Sequence, residues 1–358
     1  MTRDYSQFLP NAGTGKAPER ARSRLEILGW KPFFSQQASI EDLAATPPVR
    51  VVEVHRTKLH VMGEGLDLTI PPGPDATVGD WLLYDPLNPS ESKVLERTSK
   101  FERRAPGHDR TTQLIAANVD TVFIVSSLNR EFNVARLERY VALAFEAEVT
   151  PVILLTKPDL CADPAPFVDQ ANTISNRVLV EVINAKSDEP LTKLAPWCKP
   201  GQTIAFLGSS GVGKSTLVNA LFQEGVAATA AVREEDSRGR HTTTRRQLHF
   251  TTEGCAVLDT PGMREVQLTD VEAGIAGLFA DIVELAGQCR FNDCAHETEP
   301  GCAVRAALDR GEIELARLAR WRKLAAEEKF NNTSLSRRKS ADKSLHKTIN
   351  SVQQRNRK

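Results

Sequence analysis

The chemistry most plainly written in this chain is phosphate binding. Residues 208–215 read Gly-Ser-Ser-Gly-Val-Gly-Lys-Ser and satisfy the spacing Gly-x4-Gly-Lys-Ser/Thr in full. The run before it, Thr-Ile-Ala-Phe-Leu, reads as a strand, and the run from Ser215 and Thr216 onward opens a helix. Gly208, Gly211 and Gly213 let the N–H groups of Ser209, Ser210, Val212 and their neighbours turn toward phosphate oxygens, and the helix N-terminus adds favourable dipole charge. Lys214 is expected to reach the β- and γ-phosphates, with Ser215 holding Mg²⁺ and Thr216 beside it in the cradle. A later run, Leu-Asp-Thr-Pro-Gly at 258–262, closes another predicted strand. There Asp259 is expected to support the Mg²⁺ and the Gly262 N–H to sense a γ-phosphate. Between the two lies a polar stretch with threonines at 242–244, the length and composition of a switch loop. Thr243 is the favoured additional Mg²⁺ ligand, against the simpler reading of a plain surface loop.

The base is read elsewhere. A carboxylate accepting from both guanine N1–H and the exocyclic amine discriminates against adenine, which lacks that donor pair. The [Asn/Thr]-Lys-x-Asp motif that supplies it normally follows Asp-x-x-Gly, yet nothing after residue 262 fits. One match lies upstream, Thr156-Lys157-Pro158-Asp159, at the end of the apolar run Pro-Val-Ile-Leu-Leu. On the next predicted strand end sits Asn184-Ala185-Lys186-Ser187, where the Ala185 N–H can meet guanine O6 and Lys186 flanks the base. The order is therefore base motif, second base motif, phosphate loop, switch, Asp-x-x-Gly: a circular permutation, and the nucleotide is GTP or GDP. Met263 and Arg264 follow Gly262 in place of the water-positioning glutamine of Ras-like enzymes. Intrinsic hydrolysis should be slow. His241 is the candidate for positioning water, with plain packing in the switch as the alternative.

A third constellation is Cys289, Cys294, His296 and Cys302, spaced C-x4-C-x-H-x5-C. Three thiolates and an imidazole complete a tetrahedral zinc shell with no open position, which implies one structural Zn²⁺ rather than a catalytic one. Cys161, Cys198 and Cys255 lie far off in sequence and read as ordinary buried thiols, not as a disulfide framework.

These residues need elements to hold them. Residues 1–45 are polar, with an Arg-rich piece that is partly helical and partly loose. Short strand-like runs over 46–105, separated by turn signals, match an OB-fold β-barrel. Over 106–270 apolar strands alternate with helical patterns; Leu137, Tyr140, Val141, Ala144 and Phe145 share one helix side. That alternation means a parallel sheet with ligands at the carboxyl ends of its strands. Residues 271–330 form a helical, zinc-stapled domain. The tail, 331–358, is Lys/Arg-rich and low in large apolar residues, so it is expected to be disordered when free; it reads as a solubilising tail or a polyanion-binding arm. The fold class is thus multidomain α/β: an N-terminal OB-fold barrel, a circularly permuted P-loop GTPase domain and a C-terminal helical zinc-binding domain. The chain has 358 residues, with 46 basic and 46 acidic side chains, which argues against a uniformly basic nucleic-acid binder. No long apolar run or apolar leader is present, so no membrane partner is expected and the location reads as cytoplasmic.

In the permuted order of its motifs, and in the cysteine cluster that follows them, the chain resembles the ribosome small-subunit-dependent GTPase A family, the circularly permuted RsgA GTPases, over about residues 28–330. The resemblance implies a slow GTPase stimulated by the small (30S) ribosomal subunit. It implies action late in that subunit's maturation, contact with 16S rRNA, further assembly factors as partners, and a monomer. The sequence departs from the family's pattern at Thr156, where Asn is usual, and at Asn184, where Ser or Thr is common. Two other classes fit parts of the pattern: a P-loop small-molecule kinase, and an RNA-binding zinc protein with a structural nucleotide.

Overall fold

The computed structural model describes residues 22–73, 75–104, 112–222, 246–259 and 271–332. The chain divides into two compact units that meet in sequence between Gln267 and Leu268. Among the described residues no helix is long and apolar enough to cross a membrane.

The first unit opens with three short helices, α1 (Arg24–Ile27), α2 (Pro32–Ser35) and α3 (Ile40–Ala45). Ser23 and Ser39 start α1 and α3 with reciprocal caps, their hydroxyls accepting from Glu26 and Asp42 N–H while those carboxylates accept from the cap N–H groups. Over residues 22–45 these helices pack inward. Leu28 and Phe34 are buried with Trp81, Leu83 and Leu95 in one apolar cluster.

Five strands follow: β1 (Pro48–Val54), β2 (Leu59–Gly63), β3 (Leu66–Ile70), β4 (Trp81–Leu83) and β5 (Lys93–Val94). They pair antiparallel in the order β3-β2-β1-β4-β5 around Val49, Val51, Leu59, Val61, Ile70 and Leu82. The chain from 93 to 104 is divided between two strands. Arg97 turns in to a bidentate pair with buried Asp80, at 2.7 and 2.9 Å, and ends β5. β6 (Lys100–Arg104) then pairs with β7 (Thr112–Ala117) as a separate ribbon.

The remaining strands are β8 (Thr121–Ser127), β9 (Thr150–Thr156), β10 (Leu179–Ile183), β11 (Thr203–Leu207), β12 (Arg246–Phe250) and β13 (Ala256–Asp259). Their order is β10-β9-β8-β11-β13-β12, parallel except for β12. Helices α4 (Val134–Glu146), α5 (Ala165–Asn172), α6 (Glu189–Lys193) and α7 (Lys214–Leu221) lie between strands of this set. Leu137, Val141 and Ala144 face the core from α4 as the spacing predicts, while Tyr140 and Phe145 are half-buried. The sheet does not stop at β12: the end of β1 pairs with it at Glu53–Gln247 and Val54–Arg246. β1 thus gives its first half to β4 and its last residues to β12, joining the small antiparallel sheet to the parallel one.

Arg50, at the middle of β1, secures that junction. It is 1% exposed. Its guanidinium donates to Leu28 O at 2.5 Å, Thr203 Oγ1 at 2.8 Å, and Gly79 O and Asn118 O at 3.4 Å, and it lies 5.9 Å from the Trp81 ring centroid. Burial lowers its pKa to about 10, with Asp120 and Asp80 opposing, so it stays charged at neutral pH. Arg50→Ala leaves those acceptors buried without their donor, and should destabilise the unit by about 3–5 kcal/mol. Arg50→Lys should recover only part, since a point charge cannot fork to four acceptors. Urea midpoints followed by Trp fluorescence check this; a loss below about 1 kcal/mol for Arg50→Ala would show the clamp to be dispensable.

Of the three cysteines outside the cluster, only Cys255 is fully buried; Cys161 and Cys198 are half-buried, which corrects the expectation of three buried thiols. The Cys198 thiol lies against Cys255, and together with burial it raises the Cys255 thiol far above the usual range.

The second unit contains α8 (Glu272–Leu278), α9 (Ala280–Ala286), α10 (Ala303–Asp309) and α11 (Leu315–Asn332). Its apolar core among the described residues is small: Val271, Ile275, Leu278, Phe279, Ile282, Val304, Ala307, Ile313, Leu318 and Leu324. Polar ties add to it. Arg317 holds Asp281 at 2.8 and 2.9 Å, and Glu328 accepts the Val271 N–H at 3.0 Å.

Candidate functional site

Because β8, β9, β10, β11 and β13 run parallel, their carboxyl ends share one edge, and chain order becomes irrelevant to what meets there. The Thr156-Lys157-Pro158-Asp159 run leaves β9, the Asn184–Ser187 run leaves β10, the phosphate loop leaves β11, and β13 ends at Asp259. Thr156 sits level with Ser127 on one side and Ile183 on the other.

The phosphate loop has the backbone its glycines permit. Gly208 has φ 144, and a Cβ there would stand 2.3 Å from Val125 O on the neighbouring strand. Gly213, φ 105, is the N-cap of α7 and provides no side-chain cap, which leaves the first-turn N–H groups facing outward as an anion site. Lys214 folds back across the loop, its Nζ donating to Gly208 O at 2.8 Å and also to Ser209 O. Ser210, Gly211, Ser215 and Thr216 lie toward solvent, and Val212 is buried under the loop.

The base loop is bonded directly to this one. The Thr156 hydroxyl is fully buried and reaches Val212 O at 2.5 Å and Ser126 O at 3.2 Å. A threonine, where asparagine is usual, thereby contacts the phosphate-loop backbone. Lys157 takes φ 60, a left-handed conformation, and its Nζ donates to Gly211 O at 2.7 Å. The kink leads into a turn, Pro158–Leu160, that presents Asp159 with its side chain 34% exposed, 4.0 Å from Lys186 Nζ. Ala185 packs on the core beneath, and Asn184 Oδ1 accepts the Lys186 N–H at 3.1 Å.

Two residues in this region carried no sequence signal. Arg136 of α4 donates to Ser209 Oγ at 2.6 Å across 73 positions of chain, and Glu189 accepts the Asn184 N–H at 3.0 Å. Neither belongs to a recognisable motif: the sheet topology brings Arg136 in, while Glu189 lies five residues beyond Asn184, at the start of α6. His241, Thr243 and Gly262 lie outside the described residues, as do Met263 and Arg264, and of Asp259 only the backbone is described.

In the second unit, Cys289, Cys294, His296 and Cys302 place one ligand atom each within 4.8 Å of one another. A tetrahedral zinc with the usual bond lengths needs about 3.8 Å between sulfurs and about 3.6 Å between sulfur and nitrogen. Cys289 Sγ and Cys302 Sγ are 3.9 Å apart, and His296 Nδ1 is 3.5 Å from each. The donor set therefore fits zinc. Protonation states agree. Burial and Arg322 lower the His296 pKa, which keeps the ring neutral and able to ligate. The Cys289 thiol is held below its usual value, desolvation being outweighed by the Val304 and Ala303 N–H groups, whereas desolvation and its thiol neighbours push Cys294 up to about 11.

Outer partners fix the ligands. Arg322 donates to Ala295 O at 3.0 Å and His296 O at 2.8 Å, holding His296 at φ 60, and Trp321 lies 5.7 Å from the imidazole. The Glu299 carboxylate gathers the N–H groups of Ala295, Glu297 and Thr298, which with its own N–H hold its pKa down at about 2. Cys302 caps α10 through the Arg305 N–H.

A parallel sheet carrying a phosphate loop at the end of a central strand, with its base loops on strands earlier in the chain, defines a circularly permuted P-loop GTPase. A family model described as RsgA GTPase matches residues 94–269. The small ribosomal subunit biogenesis GTPase RsgA 2 of Vibrio parahaemolyticus is 46% identical over 339 residues, covering 93% of this chain and 94% of that one. RsgA of Mesorhizobium japonicum is 48% identical over 331 residues, covering 90% and 94%. The crystal structure of YjeQ from Thermotoga maritima superposes with a TM-score of 0.58 at 27% identity, covering 78% of this chain and 97% of that one. YloQ, described as a circularly permuted GTPase, gives 0.57 at 25% identity, covering 80% and 96%. The chain belongs to the RsgA GTPase family. It is accordingly a GTP hydrolase, and the kinase and structural-nucleotide readings are set aside.

Proposed function

We propose that this chain is a guanine-specific GTPase that acts in the late maturation of the small ribosomal subunit, binding that subunit and its 16S rRNA in the GTP state and leaving after hydrolysis. The observation that carries the reading is the direct bonding of base loop to phosphate loop, Thr156 to Val212 O and Lys157 to Gly211 O. With these contacts, engagement of a guanine at Asp159 and of phosphates at 208–216 is one event. Lys214, released from Gly208 O, would neutralise the β- and γ-phosphates, and Ser215, Thr243 and Asp259 would hold Mg²⁺, which supplies charge neutralisation for the leaving diphosphate. Gly262 would sense the γ-phosphate, and His241 would orient water once the partner orders the switch.

The proposed division is an N-terminal extension (1–45), an RNA-contacting OB-fold (46–105), the permuted GTPase domain (106–270), a domain stapled by one structural zinc (271–330) and a basic, polyanion-binding tail (331–358). The chain would act as a cytoplasmic monomer alongside other assembly factors. GTP turnover should rise at least tenfold with purified small subunits, and neither with large subunits nor with ATP as substrate. His241→Ala should remove the stimulation and spare nucleotide affinity. Equal turnover with and without small subunits would overturn the proposal.

A further inference from the structure

We propose that Glu189 is a positioning residue for guanine recognition, locking the turn at 184–187 so that the Ala185 N–H stays aimed at the O6 position of the base. This rests on the guanine reading of that loop. Around the turn, the neighbouring polar groups are already engaged. The Glu189 carboxylate accepts the Asn184 N–H at 3.0 Å and pairs with Lys193 Nζ at 2.9 Å, one helical turn on. Lys193 also donates to Val182 O at 2.6 Å, so the pair grips β10 on both sides of Ile183. Ser187 Oγ donates to Asn184 O at 3.0 Å and accepts the Glu189 N–H at 3.3 Å. The Lys186 N–H goes to Asn184 Oδ1 at 3.1 Å and the Ser187 N–H to Asn184 O at 3.2 Å.

One backbone donor in the turn is left over. Among the described residues the Ala185 N–H has no protein acceptor, although the N–H groups on either side of it do. Ala185 is half-buried against the core, and the loop stands beside Asp159, with Lys186 Nζ 4.0 Å from its carboxylate. A donor held between fixed neighbours is preorganised for a ligand acceptor, and the cost of ordering it is met before the ligand arrives. The Asn184 N–H and Lys193 keep the Glu189 pKa below its usual value, so the carboxylate stays ionised through the physiological range. Glu189 touches no nucleotide in this account; it acts through the turn.

The test compares GDP with 6-thio-GDP, which keeps the N1–H and the amine but presents a weakly accepting sulfur at position 6. Full-length wild type, Glu189→Gln and Glu189→Ala are titrated with both in the presence of Mg²⁺. Glu189→Ala should weaken GDP binding about fivefold to tenfold, a modest loss because the carboxylate is part-exposed. 6-thio-GDP affinity should hardly change, so the preference for oxygen collapses. Glu189→Gln keeps an acceptor for the Asn184 N–H but loses the Lys193 pair, and should fall between. Equal weakening of both nucleotides, or no change in either, would overturn the positioning role. A wild type that binds GDP no better than ADP would instead overturn the guanine reading itself.

Discussion

Replacing Asp159 with Asn should cut GTP and GDP affinity about 10²–10³-fold and move the preference to xanthine nucleotides. The carboxylate would accept from guanine N1–H and from the exocyclic amine. Each hydrogen bond to a charged group is worth about 1.5–3 kcal/mol, and a third of the side chain is exposed, so two bonds give a loss near the lower end, about 3–4 kcal/mol. Asparagine retains one acceptor for N1–H but turns an N–H toward the amine, a donor facing a donor. Xanthine carries a carbonyl there and restores the match. The fold should be indifferent, because Asp159 sits on the turn after Lys157 rather than in the core, and its ion pair with Lys186 is long, at 4.0 Å. Calorimetric titration with GDP and XDP reads the switch directly. GDP affinity within threefold of wild type in Asp159→Asn would remove Asp159 from the site.

That site was legible in the sequence for a physical reason. A strand buried in a parallel sheet is an uninterrupted apolar run, and its ligand residues come immediately after the run ends. Thr156–Asp159, Asn184–Ser187 and Gly208–Ser215 all stand in that position, so recognising strands was enough to group them. The Cys289, Cys294, His296 and Cys302 cluster was legible because four ligand-type residues crowd into one short stretch. What could not be read depends on contacts between distant segments. Nothing in the composition of β1 says that its last two residues, while still paired with β2, also pair with β12. Arg50 looks like any exposed arginine on an alternating strand until Leu28, Gly79, Asn118 and Thr203 close over it. The division of 93–104 hangs on Asp80, which is buried and calls Arg97 inward. Thr156 stands where asparagine is usual, and nothing in its motif says that its hydroxyl reaches Val212 O, because β9 and the phosphate loop are neighbours in space and not in sequence.

The two units need different forces to stay folded, and the difference sets the expected effect of metal removal. The first unit has clusters of large buried side chains, such as Phe123, Phe206, Trp197 and Leu154 around the parallel sheet. It should survive chelation. The second unit relies on few large apolar residues, and its loop from Cys289 to Cys302 has no strand or helix of its own among the described residues. There the donor set ties the end of α9 to the start of α10, and through His296, Arg322 and Trp321 to α11. Structural zinc sites of this type contribute an apparent ~10–16 kcal/mol at neutral pH, more than a core this small can replace. The purified chain should therefore carry about one zinc, and a strong chelator should melt α8 to α11 while leaving guanine nucleotide binding intact. Cys294→Ala should do the same without chelator. Binding needs neutral imidazole and deprotonated thiols, so the metal should be lost as pH falls, not as it rises. Zinc content by elemental analysis and helicity by circular dichroism, each followed with nucleotide affinity, separate the two units. Unchanged helicity at zero zinc would mean that the four ligands meet for packing alone.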